Sequence, residues 1–263
     1  MRKRLHVALV VVVVAVLAVL GWEILLSREP EPVVDGKPLA SWLDYYVSAQ
    51  SEVQRKMADQ ALDKVGTNAI PTLLRMLRQR DSTFKRDVMG LLQKQHIIKA
   101  HYIPAERRNQ AAYFAFLKLG ARAEVAVPAL IEIYELKLSP FSQQTTARSL
   151  GHIGPAAKSA IPLLIRGLAD TNTLVRCDTL LALADFHAEP ELVVPALTNA
   201  LNDPNGKVRI FACMALWKVG VAAKPAVPAL VKALDDSDSS VRGQAALALK
   251  QIDPEAAAQA GVK

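Results

Sequence analysis

From residue 38 onward, apolar side chains recur every three or four positions, and this pattern itself repeats. Five prolines mark it: Pro71, Pro128, Pro162, Pro195 and Pro228 sit in AIPTLLRML, AVPALIEIY, AIPLLIRGL, VVPALTNAL and AVPALVKAL. The last four are 34, 33 and 33 residues apart. Each follows a β-branched residue (Ile70, Val127, Ile161, Val194, Val227). Proline disfavours helix at the residue before it and fits the first helical position, where its missing N–H costs nothing. Leu73, Leu130, Leu164, Leu197 and Leu230, with Leu77, Tyr134, Leu168, Leu201 and Leu234 four residues later, complete one apolar stripe.

A second helix follows each first one. Asp170…Val175-Arg176, Asp203…Val208-Arg209 and Asp236…Val241-Arg242 repeat every 33 residues. They continue through Thr179, Ala212 and Ala245 to Leu183, Leu216 and Leu249 on the same face. Gly66, Gly120, Gly154 and Gly220 supply helix ends. A fixed period of helix pairs predicts an all-α fold: an α-solenoid of stacked antiparallel pairs over 38–253, regular over 121–253 and irregular over 38–120. Pro38-Leu39…Trp42-Leu43…Tyr46 predicts an opening helix in which Trp42 covers the end of the stack, and 254–263 a closing cap. The 57 residues from Pro71 to Pro128 predict a lengthened second helix from Phe84 to His96 or beyond, then an extra helix from Ala105 to Leu119.

The first 26 residues break this pattern. Arg2, Lys3 and Arg4 precede an apolar run over 7–26 that only Glu23 interrupts, about the 20 residues a bilayer-spanning helix needs. The basic flank predicts a cytoplasmic N-terminus and an extracytoplasmic solenoid, periplasmic or at the cell surface. The alternative is a cleaved signal peptide and a secreted protein, with Val19-Leu20-Gly21 as a poor cleavage site. Residues 27–37, with Pro30 and Pro32, are expected to form a polar linker.

Composition adds two constraints. Net charge is +7, and residues 51–120 alone hold 13 basic against 6 acidic side chains. Arg75, Arg78, Arg80, Lys85, Arg86, Arg107 and Arg108 form a candidate basic patch, for a polyanion or lipid headgroup, or simply a solvated face. Cys177 and Cys213 fall at non-equivalent places on neighbouring second helices, too far apart for a disulfide. No Cys/His spacing suggests a metal, and no cofactor is expected.

The phrase PALxxAL-Asp…Val-Arg-x-x-Ala-x-x-Ala-Leu resembles HEAT repeats, and more closely the short bacterial HEAT-like repeats of the phycobilisome-lyase type. That resemblance implies a HEAT-like superhelix whose second helices line the concave face. It also implies an inter-repeat ladder built from Asp170, Arg176, Asp203, Arg209, Asp236 and Arg242. Deoxyhypusine hydroxylases of similar architecture bind iron through His-Glu dipeptides. None of His6, His96, His101, His152 and His187 is followed by glutamate. No phosphate loop or nucleophile elbow is present either, so an enzyme is not expected.

On the second helices, Phe211, Met214 and Trp217 lie outside the core stripe at intervals of three, and Tyr113, Phe114 and Leu117 occupy related positions. Aromatics and methionine are enriched in interface cores. These six are the candidate partner-binding residues, unless they pack against adjacent repeats. The expectation is a membrane-tethered, non-catalytic scaffold or adaptor for another protein or an envelope component, with no nucleic acid as partner. A regulatory or lyase-like accessory subunit of an enzyme is the alternative.

Overall fold

The computed structural model describes residues 31–94 and 102–262. The apolar run over 7–26 lies outside the described residues. The chain first makes a two-stranded antiparallel hairpin, β1 (Val33–Val34) and β2 (Lys37–Pro38), then helices α1 (Leu39–Leu43), α2 (Tyr45–Ser48), α3 (Glu52–Val65), α4 (Ile70–Arg78), α5 (Thr83–Lys94) and α6 (Ala105–Leu119). The regular part follows: α7 (Val127–Glu135) with α8 (Pro140–Ile153), α9 (Ile161–Gly167) with α10 (Thr173–Asp185), α11 (Pro190–Asn199) with α12 (Gly206–Val219), and α13 (Val227–Ala233) with α14 (Ser239–Ile252). Helix α15 (Pro254–Gln259) closes the stack.

Local chemistry sets these ends. Ser51, Ser139, Asn172, Asn205 and Asp238 cap the second helices by accepting from backbone N–H groups one turn in. Pro71, Pro128, Pro162 and Pro228 sit in the first turn of their helices. Pro195 instead lies inside α11, because that helix starts early, at Pro190 after a left-handed Glu189. Gly154 leaves α8 at φ 76°, ψ −144°, a region open almost only to glycine.

Second helices pack directly on one another, α6 on α8, α8 on α10, α10 on α12 and α12 on α14, whereas consecutive first helices barely meet. A stack tighter on one side curves toward that side, so the second helices line the concave face. The core runs unbroken between the two layers, from Leu39 and Leu43 through Leu130, Leu150 and Leu183 to Leu249. Within it, the Tyr134 hydroxyl lies 3.1 Å from Thr179 Oγ1, over Gly167, where any side chain would collide with it. Gly206–Ala233 is long and apolar enough to cross a membrane, but Gly220, at φ 69°, folds it into α12 and α13 within the stack.

Two sequence expectations need correction. First, α6 is not an extra helix. It packs against α4 and under α8, which is the second-helix place, and Gly120 lies 34 residues before Gly154 as the period requires. The insertion is therefore the 24 residues by which 57 exceeds 33, and α5 belongs to it. Second, the linker expected over 27–37 is folded from residue 31. Asp35 and Gly36 both take positive φ (48° and 76°), the turn an Asp-Gly pair favours between two short strands. Trp42 does cover the first repeat, with its Nε1 donating to Val34 O at 2.9 Å.

Candidate partner-binding groove

Across the concave face the solvent-facing side chains come from α6, α8, α10, α12 and α14. On α12, Ala212, Cys213, Ala215 and Leu216 are buried, Phe211 is half-buried against the core, and Met214 and Trp217 stand 37 % and 50 % exposed. Leu247 on α14, 33 residues beyond Met214, is also exposed. On α6, Leu117 is exposed, while Tyr113 and Phe114 lie in partial contact with each other, ring centroids 5.1 Å apart. Phe114 also meets Tyr46, at 6.1 Å. The six candidate residues thus form two apolar patches, not one. Three helix-to-helix steps of about 8–10 Å separate them.

Between the patches lies a charged band that sequence reading missed. Tyr113 Oη is 3.1 Å from His152 Nε2, and His152 Nδ1 is 3.7 Å from Asp185 Oδ2. Arg148 faces Tyr113 Oη at 3.5 Å and both Asp178 and Asp185 at 3.9 Å. Lys218 closes on Asp185 from α12. Burial, opposed by Asp185 and reinforced by Arg148 and Lys218, pushes the His152 imidazole below its ordinary pKa. Burial raises the Tyr113 hydroxyl and the Asp178 carboxyl above theirs. The missed signal was the period itself: His152, Asp185 and Lys218 are spaced by 33, so they occupy one repeat position on three neighbouring helices.

The Asp/Arg residues make a continuous inter-repeat ladder. Arg176 grips Asp203 with two hydrogen bonds (3.0 and 3.1 Å), and Arg209 grips Asp236 (2.8 and 2.9 Å). Each arginine also donates to the carbonyl of its own repeat's aspartate: Arg176 to Asp170, Arg209 to Asp203 and Arg242 to Asp236, at 2.8–2.9 Å. Among the described residues the Asp170 carboxylate has no arginine partner and pairs with Lys137 at 3.3 Å.

The seven basic candidates do not form one open surface. Arg107 holds Asp44 bidentately (2.6 and 2.7 Å), Arg78 pairs with Glu132, Lys85 with Asp81 and Arg75 with Glu31. Arg108 hydrogen-bonds Gln79. Arg80 and Arg86 line a cleft of about 920 Å³ with Tyr102 and Pro140. Among the described residues no three His, Cys, Asp or Glu side chains converge as a metal site would require.

Residues 194–260 match the family model described as HEAT repeats. That HEAT match covers α12 to α15, including the Arg209–Asp236 rung and the Met214/Trp217 patch. Among solved structures, the chain is similar to an engineered protein (22 % identity, TM-score 0.41) over 86 % of its own length, and spans 62 % of that chain. It is also similar to a designed armadillo repeat protein in complex with the peptide (KR)4 (15 %, TM-score 0.45, 82 % of this chain and 99 % of that one). The complex of CpcE and CpcF of phycocyanin lyase from Nostoc sp. PCC7120 is similar at 23 %, TM-score 0.44, over 89 % and 85 %. Comparison with curated proteins gives no match.

Proposed function

We propose that this chain is a membrane-tethered, extracytoplasmic scaffold whose concave groove holds a segment of another protein or an envelope component, without catalysis. One observation carries the binding reading. Met214 and Trp217 are exposed side by side on a helix otherwise occupied by packing, and a half-exposed tryptophan on a concave wall suits a partner. The helical repeat fold supports it, since such stacks present extended concave surfaces. The apolar run over 7–26 and its basic flank support the tether and the orientation. The non-catalytic reading rests on the band's chemistry. Tyr113, His152 and Asp185 follow one another at contact distance, but Arg148 and Lys218 already face the carboxylate. Such a cluster ties helices together.

Photocrosslinking from position 214 in the anchored protein in its native membrane tests the groove. A discrete adduct that disappears with Trp217→Ala supports it. An unchanged adduct, or none from 214 while convex positions crosslink, overturns it. An accessory-subunit role would use the same groove, and an adduct containing an enzyme subunit would favour that role. Carboxylate pairing of Arg75, Arg78, Lys85 and Arg107 weighs against the polyanion reading. A C-terminal reporter active only outside the cytoplasm tests location, and a silent one would overturn it.

A further inference from the structure

We infer that the α8–α10 junction is a hinge that splits the solenoid into two stiffer blocks, and that this hinge sets the spacing of the two apolar patches. Four observations converge there. The ladder fails at this junction. Counting back 33 residues from Arg176 reaches Gln143, so glutamine stands where the rung to Asp170 would need its arginine. Gln143 is buried, and its Nε2 has no hydrogen-bond partner among the described residues. The substitute pair, Lys137 with Asp170, uses a lysine exposed to water and set on a left-handed backbone (φ 46°). Such a pair contributes little.

Unmet polarity concentrates at the same place. Of the nine buried polar residues among those described, five are on α8: Ser142, Gln143, Thr145, Thr146 and Ser149. The four buried side-chain atoms without a hydrogen-bond partner among the described residues are Gln143 Nε2, Thr146 Oγ1, Arg148 Nε and Asp185 Oδ2, all on α8 or on α10 stacked against it. A buried donor or acceptor left unmade is costly, so the N-terminal half of the junction, around Gln143 and Thr146, is held less firmly than the half farther along, which Arg148 and His152 tie to Asp178 and Asp185.

The geometry also supplies a fulcrum. At the C-terminal ends of the two helices Gly151 lies so close to α10 that an added Cβ would meet the Ala182 backbone at 2.8 and 2.9 Å. The helices touch backbone to backbone at that end and lack their latch at the other. Opening swings the N-terminal ends of α8 and α10 apart around Gly151. The Tyr113/Phe114/Leu117 patch travels with one block and the Met214/Trp217 patch with the other. The consequence for binding rests on the groove reading above, whereas the motion does not.

Spin-label distances on the full-length anchored protein in lipid nanodiscs test the motion without a partner. Labels go on Gln60→Cys in α3 and Gln251→Cys in α14, across the junction, or on Thr171→Cys and Gln251→Cys, within the C-terminal block. Native Cys177 and Cys213 are buried and free, with burial pushing their thiols up to about 11 and about 12, so they label poorly. The cross-junction distribution should be at least about twice as broad as the within-block one, as expected for sub-global opening. Gln143→Arg, which offers Asp170 a rung, should narrow the first and leave the second unchanged. Equal widths for the two pairs in the unmodified background would overturn the hinge. So would a cross-junction width that a folded Gln143→Arg protein leaves untouched.

Discussion

At the scale of single residues, the repeat makes each departure from it informative. Gln143 occupies an arginine's place beside a carboxylate that lacks one, so Gln143→Arg should stabilise the protein by about 1 kcal/mol, the usual worth of a charge-assisted hydrogen bond net of its costs. Denaturant unfolding would show it as a higher midpoint at unchanged slope, and a lower midpoint would mean the ladder geometry does not extend to Asp170. His152 sets a pH dependence of definite sign. Its folded-state pKa is depressed, chiefly by burial, so below about pH 6.5 the unfolded chain takes up the proton first. Stability held above that value should therefore fall as pH drops through about 6.5 toward the folded-state pKa. His152→Gln should flatten the profile between pH 7.5 and 5 in thermal melts. A parallel decline in both proteins would assign the loss to other groups.

At the scale of elements, what fixes a helix is chemistry local to its ends, and what fixes its neighbours is the fit of one face. The first helices, their prolines and the leucine stripe were legible because each repeats five times. Less was legible where an element occurs once. The hairpin before α1 rests on one Asp35-Gly36 pair inside a polar run that composition alone marks as a linker. The insertion holding α5 hid the true partner of α4, although the Gly120 to Gly154 spacing identified α6. Two substitutions test the element contacts. Gly151→Ala should cost about 1–3 kcal/mol by overpacking α8 against α10, since a Cβ there meets backbone and not a side chain that could turn away. Arg209→Ala should cost about 1–2 kcal/mol by leaving Asp236, a largely buried carboxylate, with only its backbone donor. Calorimetry reads both, and a cost below the noise for Arg209→Ala would make the ladder decorative.

At the scale of the whole molecule, curvature decides which residues a partner can meet. Trp217 is half-exposed on the concave side and not part of the continuous core, so Trp217→Ala should lower the melting temperature by no more than about 2 °C while abolishing the crosslinked adduct. A large loss of stability would place the ring in packing. The six groove residues were legible because they break the apolar periodicity of their helices. Their separation into two patches was not, because a single sequence does not say how many helices lie between. The charged band was hidden for a different reason. Arg148, His152, Asp178, Asp185 and Lys218 each look like ordinary solvated positions until the stack lines them up.

The folded hairpin shortens the leash. With residue 31 already seated on the first repeat through Glu31 and Arg75, only four residues, 27–30, separate the end of the apolar run from the body. Fully extended they reach about 14 Å, roughly one helix diameter. On the anchored reading the solenoid cannot wander through the space beyond the bilayer. Its first repeat would stay within that reach of the headgroups.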